Sequence, residues 1–137
     1  MALLTISPLV LAPCARGDCE SDAYRVIFDA KRRPTRWNEV HTAYLRFRDC
    51  DDGAIAEWYS DNVVHLLARR QADIAGLSKV VQGDKQFGSW LLGHIDSTCD
   101  SLELVRAAEN SKTQCPNHNA SFCGRIRAAA EKALHNL

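Results

Sequence analysis

Apolar side chains recur every three to four positions from Tyr24 to Leu134, and no period-two alternation of apolar and polar residues persists beyond four residues. That spacing predicts an all-α chain. A first helix is expected from Ser21 to Arg33, capped by Ser21 or Asp22 and stopped by Pro34, and a second from Thr35 to Arg48 with Trp37, Val40, Tyr44 and Phe47 on one stripe. A third begins near Asp52 and turns Ile55, Trp58, Tyr59, Val63, Leu66 and Leu67 inward. The fourth and fifth, Ala72 to Val81 and Asp84 to Asp96, are separated at Gln82-Gly83, and Phe87, Trp90, Leu91 and Ile95 form the buried side of the fifth. The sixth starts at Asp100, where Glu103 completes a capping-box pattern, and fades near Asn110. The last spans Asn119 to Leu134 and presents Phe122, Ile126, Ala130, Ala133 and Leu134. About seven short antiparallel helices joined by brief loops make an irregular stack of helical hairpins, with a closed bundle as the alternative arrangement.

The amino terminus departs from this pattern. Ala2 to Ala12 is a largely apolar run with Pro8 in it, shorter than the roughly 20 residues a membrane-spanning helix needs. Small residues follow at Ala15 and Gly17, so residues 1–17 read as a signal-peptide-like leader, although no Lys or Arg precedes the run. Residues 18–137 are then expected to form one domain without membrane insertion, in the periplasm or secreted. Lys plus Arg and Asp plus Glu stand at 17 each, so charge gives no reason to expect a nucleic-acid partner.

Six cysteines in 137 residues change the picture from an ordinary helical domain to a crosslinked one. Cys19 precedes the first expected helix and Cys50 follows the second. In an antiparallel hairpin those ends lie side by side, so Cys19 is paired with Cys50. Cys115 and Cys123 flank a short loop containing Pro116 and are paired likewise. A Cys99–Cys115 bridge is disfavoured, because a helix of about ten residues separates its ends by ~15 Å, beyond the ~7 Å limit between bridged α-carbons. Cys99 is left as a free buried thiol, and Cys14 belongs to the leader.

Cys115, His118 and Cys123 have ligand-like spacing, but only three ligands are local and the bridge competes for two of them, so no metal is expected. Aligned on Gly53, the acidic loop places Arg48, Cys50 and Tyr59 at calcium-ligand positions, which excludes a calcium loop of the helix–loop–helix kind. His41, His65 and His94 are more often structural than catalytic in such surroundings, and no nucleophile elbow, metalloprotease signature or phosphate loop is present, so neither a catalytic set nor a cofactor is expected. Two charge clusters remain: Lys31, Arg32, Arg33 and Arg36 around Pro34, and Asp49, Asp51 and Asp52 beside Cys50. Helix-end chemistry accounts for most of both, and the second is also the expected partner-contact surface.

The run Cys50-Asp51-Asp52-Gly53-Ala54-Ile55-Ala56-Glu57 with Tyr59-Ser60-Asp61, and the later Cys115-Pro116 and Cys123, resembles a set of small exported proteobacterial proteins. Their helical, disulfide-stapled character in turn resembles, more loosely, the periplasmic immunity proteins that neutralise peptidoglycan amidases delivered by type VI secretion. That resemblance implies a non-enzymatic binder with a protein partner, a cell-wall hydrolase. The rival readings are a small periplasmic enzyme using a His with Cys99 or a carboxylate, and a structural envelope protein without a tight partner.

Overall fold

The computed structural model describes residues 16–28 and 33–137. Among them are seven helices and no strand: α1 (Arg16–Phe28), α2 (Trp37–Phe47), α3 (Gly53–Leu67), α4 (Ile74–Gly83), α5 (Lys85–Gly93), α6 (Ser101–Thr113) and α7 (Ala120–His135). Short 3-10 turns over Arg48–Cys50 and Asn117–Asn119 lead into α3 and α7. The expected leader lies outside the described residues except for its last two, as do Cys14, Lys31 and Arg32.

Where the helices start follows from side chains that accept from their first N–H groups. Asp84 accepts from Phe87 N at 3.1 Å, Asp100 from Glu103 N at 3.0 Å, and Asp73 from Gly76 N at 3.0 Å. Asp73 holds a left-handed φ of 48°, and a Cβ at position 76 would overlap its carboxylate, so glycine there makes the cap possible. α2 starts two residues later than expected because Glu39 reaches back to the backbone N–H groups of Thr35 at 2.6 Å and Arg36 at 3.2 Å. α1 begins at Arg16, ahead of the expected caps. Asp22 therefore lies inside the helix, paired with Arg25 and with Arg46 of α2.

α6 runs through Asn110 to Thr113, and the reason is visible at the end of α3. Asn110 Nδ2 donates to the carbonyls of Leu67 at 2.8 Å and Arg69 at 2.7 Å, while Gln114 donates to Arg70 O and accepts from Ala72 N, both at 3.0 Å. Trp37 Nε1 completes the bracing with a 2.9 Å bond to Ala72 O. The connection from α3 to α4 thus has its backbone satisfied by side chains from α6, its C-cap and α2.

The expected stripes form the core. One cluster joins Trp37, Val40 and Tyr44 of α2 to Val63, Val64, Leu66 and Leu67 of α3, and continues through α4, α5, α6 and α7. Helices distant in sequence close it: α3 packs on α6, α2 on α4 and α5 on α7. α1 sits outside this cluster. It buries only Ala23 and Ile27, against Phe47, Cys50, Ile55 and Tyr59. Burying one isoleucine is worth about 1.5–3 kcal/mol.

Both expected disulfides are present, Cys19–Cys50 with α-carbons 5.9 Å apart and Cys115–Cys123 at 6.0 Å, and Cys99 is free and buried. They are bonds of a chain that folds in an oxidising compartment. No helix among the described residues is long and apolar enough to cross a membrane. The bridges are unequal. Cys19–Cys50 closes a loop with a sequence separation of 31 and Cys115–Cys123 one of 8, which a chain-entropy account converts to about 4 and about 2.5 kcal/mol. The first exceeds what α1 gains by apolar burial. Guanidinium unfolding of the Cys19→Ser/Cys50→Ser pair is therefore expected to show the larger loss of stability, with α1 alone becoming protease-sensitive. Equal losses for the two pairs would show that α1 docks without its bridge.

Candidate functional site at the acidic loop

The loop between α2 and α3 carries the three aspartates singled out from the sequence, and the fold assigns them different duties. Asp49 is exposed. Asp52 is the N-cap of α3, its Oδ1 accepting from Gly53 N at 2.8 Å. Asp51 turns inward, its side chain 15% exposed, and its Oδ2 accepts from Trp90 Nε1 at 2.6 Å and from His94 Nε2 at 2.9 Å. The loop is thereby tied to α5 and its C-cap. Asp51 Oδ1 is buried without a hydrogen-bond partner among the described residues.

The network continues beyond His94. Its Nδ1 lies 2.9 Å from Ser60 Oγ, and Ser60 Oγ lies 3.0 Å from Asp96 Oδ2. Ser60 has a single proton to give. If Asp96 receives it, His94 must carry protons on both nitrogens, an imidazolium between two carboxylates. A neutral ring protonated at Nε2 takes the Ser60 proton on Nδ1 and leaves Asp96 without that bond.

Aromatic packing encloses this chain of bonds. Trp90 stands among Tyr44, Tyr59, Phe87 and His94, with ring centroids 4.4–5.5 Å away. Tyr59, fully buried, donates to Ala43 O at 2.9 Å, and burial together with the nearby Asp51 charge pushes its phenol well above the usual range. Burial alone pushes the Asp51 carboxyl up. The hydrogen bonds from His94 and Trp90 and the attraction to His94 outweigh it, leaving Asp51 below the ordinary aspartate value. Asp96 follows the same pattern, burial being outweighed by bonds from Thr98 and Ser60. Cys99 lies against the network with its thiol 3.6 Å from Ser60 O and 3.7 Å from His94 O, and burial pushes it up to about 11.

Asp51, His94 and Ser60 share the carboxylate, imidazole and hydroxyl order of hydrolytic triads. The surroundings differ from what that chemistry needs. Ser60 is 3% exposed on the inner side of α3, its hydroxyl shared with a second carboxylate, so no carbonyl carbon can approach it. The arrangement serves as a clamp between α3, the α2–α3 loop and the end of α5.

The other sequence candidates are engaged in similar ways. His41 Nε2 meets Asp84 Oδ2 at 2.9 Å, which holds that cap carboxylate below its usual range with help from Phe87 N. His65 Nδ1 meets Glu103 Oε1 at 2.8 Å, so the Glu103 carboxylate expected to complete a capping box at Asp100 is turned to α3. His118 is exposed, and the two cysteines that share its ligand-like spacing are joined to each other in the Cys115–Cys123 bridge. Arg33 pairs with Asp61 at 2.7 Å, and Arg36 is the N-cap of α2. Sequence reasoning did not single out Ser60 or Asp96. The available signal was a polar residue inside the apolar stripe of α3.

No known protein family, curated protein or solved structure matches this chain.

Removing the shared acceptor strands two buried donors, so Asp51→Ala is expected to cost about 2–4 kcal/mol in urea unfolding and to shift Trp90 emission, with Asp51→Asn losing less. Acid should act through the same groups. Because Asp51 and Asp96 titrate lower in the native state than in the unfolded chain, their contribution is complete above the unfolded value of about 3.9 and is lost as pH falls through the native values. Thermal melts between about pH 5 and pH 2 are expected to fall steeply for the native sequence and less steeply for Asp51→Asn; parallel curves would remove Asp51 from the account.

Proposed function

We propose that the protein is a non-enzymatic binding protein of the periplasm, an inhibitor of a peptidoglycan hydrolase in the manner of an immunity protein. The observation that carries this reading is the direction in which its reactive groups point. His41, His65 and His94 each meet a carboxylate from another element, and the Cys99 thiol is buried. What faces outward is a scaffold held by two bridges, with Asp49 fixed on the turn that Cys19 crosslinks. α1 and α2 add Tyr24, Val26, Phe28 and Leu45, all exposed. Aromatic and aliphatic anchors on a rigid frame suit protein recognition, because little conformational entropy is lost on docking. Asp49 beside the Cys50 bridge is the favoured acidic contact, since Asp51 is committed internally and Asp52 holds a helix end.

The test is inhibition, not capture alone. Immobilised with its bridges intact, the protein should retain a cell-wall hydrolase from periplasmic extract. At equimolar ratio it should then stop that enzyme's release of soluble peptidoglycan fragments. Asp49→Lys is expected to weaken inhibition about tenfold or more without changing the melting temperature. A retained hydrolase that remains fully active, or extract yielding none, would overturn the proposal. Turnover by the protein itself that vanishes in a folded His94→Gln variant would favour the enzyme reading in its place.

A further inference from the structure

α4, α5 and the start of α7 enclose an open cleft of about 380 Å³, none of whose helices adjoins the acidic loop in sequence. Its volume falls in the range of small-ligand pockets, roughly 300–1,000 Å³. Val81 and Phe122 supply an apolar wall. α4 and α5 come together at Val81 because residue 88 is glycine: a Cβ there would stand 2.6 Å from Val81 Cγ1.

The polar lining has one sign. Lys85 from α5 and Arg125 from α7 stand at the cleft, both exposed, and among the described residues neither is in an ion pair. No carboxylate lines it, and Asp84, next to Lys85 in sequence, is turned to His41 and to the N–H of Phe87. The N-terminal end of α7, which favours negative charge, borders the same space through Asn119 and Phe122.

Two buried polar atoms at this cleft have no partner among the described residues. Ser78 is 2% exposed and its Oγ is unbonded, and Asn119, half-buried as a residue, has its Nδ2 buried and unbonded. Asn119 occupies the N-cap position of α7, yet its side chain makes no cap bond and accepts from Gln82 Nε2 at 3.4 Å. An asparagine at a helix start normally spends itself on the helix. Here its oxygen is turned to Gln82 at the cleft, and leaving its buried N–H unpaired is costly.

We infer that this cleft binds a small organic carboxylate with an apolar body. The head lies between Lys85 and Arg125, where a turn of the Asn119 amide brings its unpaired N–H into reach, while the body covers Val81 and Phe122. An inorganic anion satisfies the cations but leaves the apolar wall wet. A neutral apolar molecule covers the wall but leaves the cations and buried donors unanswered.

Benzoate is a suitable probe, titrated into the isotope-labelled full chain with its bridges intact while amide resonances are followed. Saturable shifts centred on Ser78, Ser89, Asn119 and Arg125 are expected. Lys85→Gln and Arg125→Gln, both at exposed positions and checked by thermal melts, should each weaken binding about fivefold or more. Benzyl alcohol and inorganic phosphate should each bind about tenfold more weakly than benzoate. The inference is overturned by absence of saturation, by shifts spread evenly over the surface, by equal binding of the alcohol or of phosphate, or by unchanged affinity in both variants.

Discussion

One carboxylate oxygen, Asp51 Oδ2, receives hydrogen bonds from Trp90 and His94 together, and the placing of the α2–α3 connection depends on it. Cys50, the neighbouring residue, is bridged to Cys19 and so carries α1, whose own apolar contacts are few. The dependence therefore runs outward from a buried acid to a surface helix. A charge is tolerable at this depth because an imidazole and an indole answer it and because Ser60 and Asp96 extend the bonding on the far side of the ring.

The same device recurs twice more among the described residues. His41 with Asp84 links α2 to the start of α5, and His65 with Glu103 links α3 to α6. Each pair spans 38 to 43 residues of sequence and joins elements that also share the apolar core. Burial supplies the cohesion, and the polar pairs fix which helix faces which. They also engage three of the imidazoles, those of His41, His65 and His94.

What could be read from the sequence was whatever depends on near neighbours. The stripe Trp37, Val40, Tyr44 and Phe47 is buried as a set, and Asp52 and Asp100 cap the helices they precede. The bridges were legible because helix length limits which sulfurs can meet. Ser21 and Asp22 failed as caps of α1 since the helix already contains Cys19, and a local preference of about 1 kcal/mol does not prevail over the crosslink and the packing of Ala23 and Ile27. Asn110 resembled the end of a helix only while the carbonyls of Leu67 and Arg69 were out of sight. The bonds of Asp51 to Trp90 and His94 cross 39 and 43 positions, a distance at which no periodicity carries information.

Asn110 and Gln114 stand one turn apart, and between them they grip the carbonyls of residues 67, 69 and 70 and the N–H of residue 72. α6 therefore acts as a ruler for the connection it holds. The exposed side chains of Arg70 and Gln71 are free to drift, because the grip at this point is on backbone atoms alone. The length of the connection is not. One residue gained or lost there carries a target out of register, and one gained or lost within α6 between the two amides rotates a gripping group by about 100° away from its target, so homologues of this chain should vary here in identity and not in spacing.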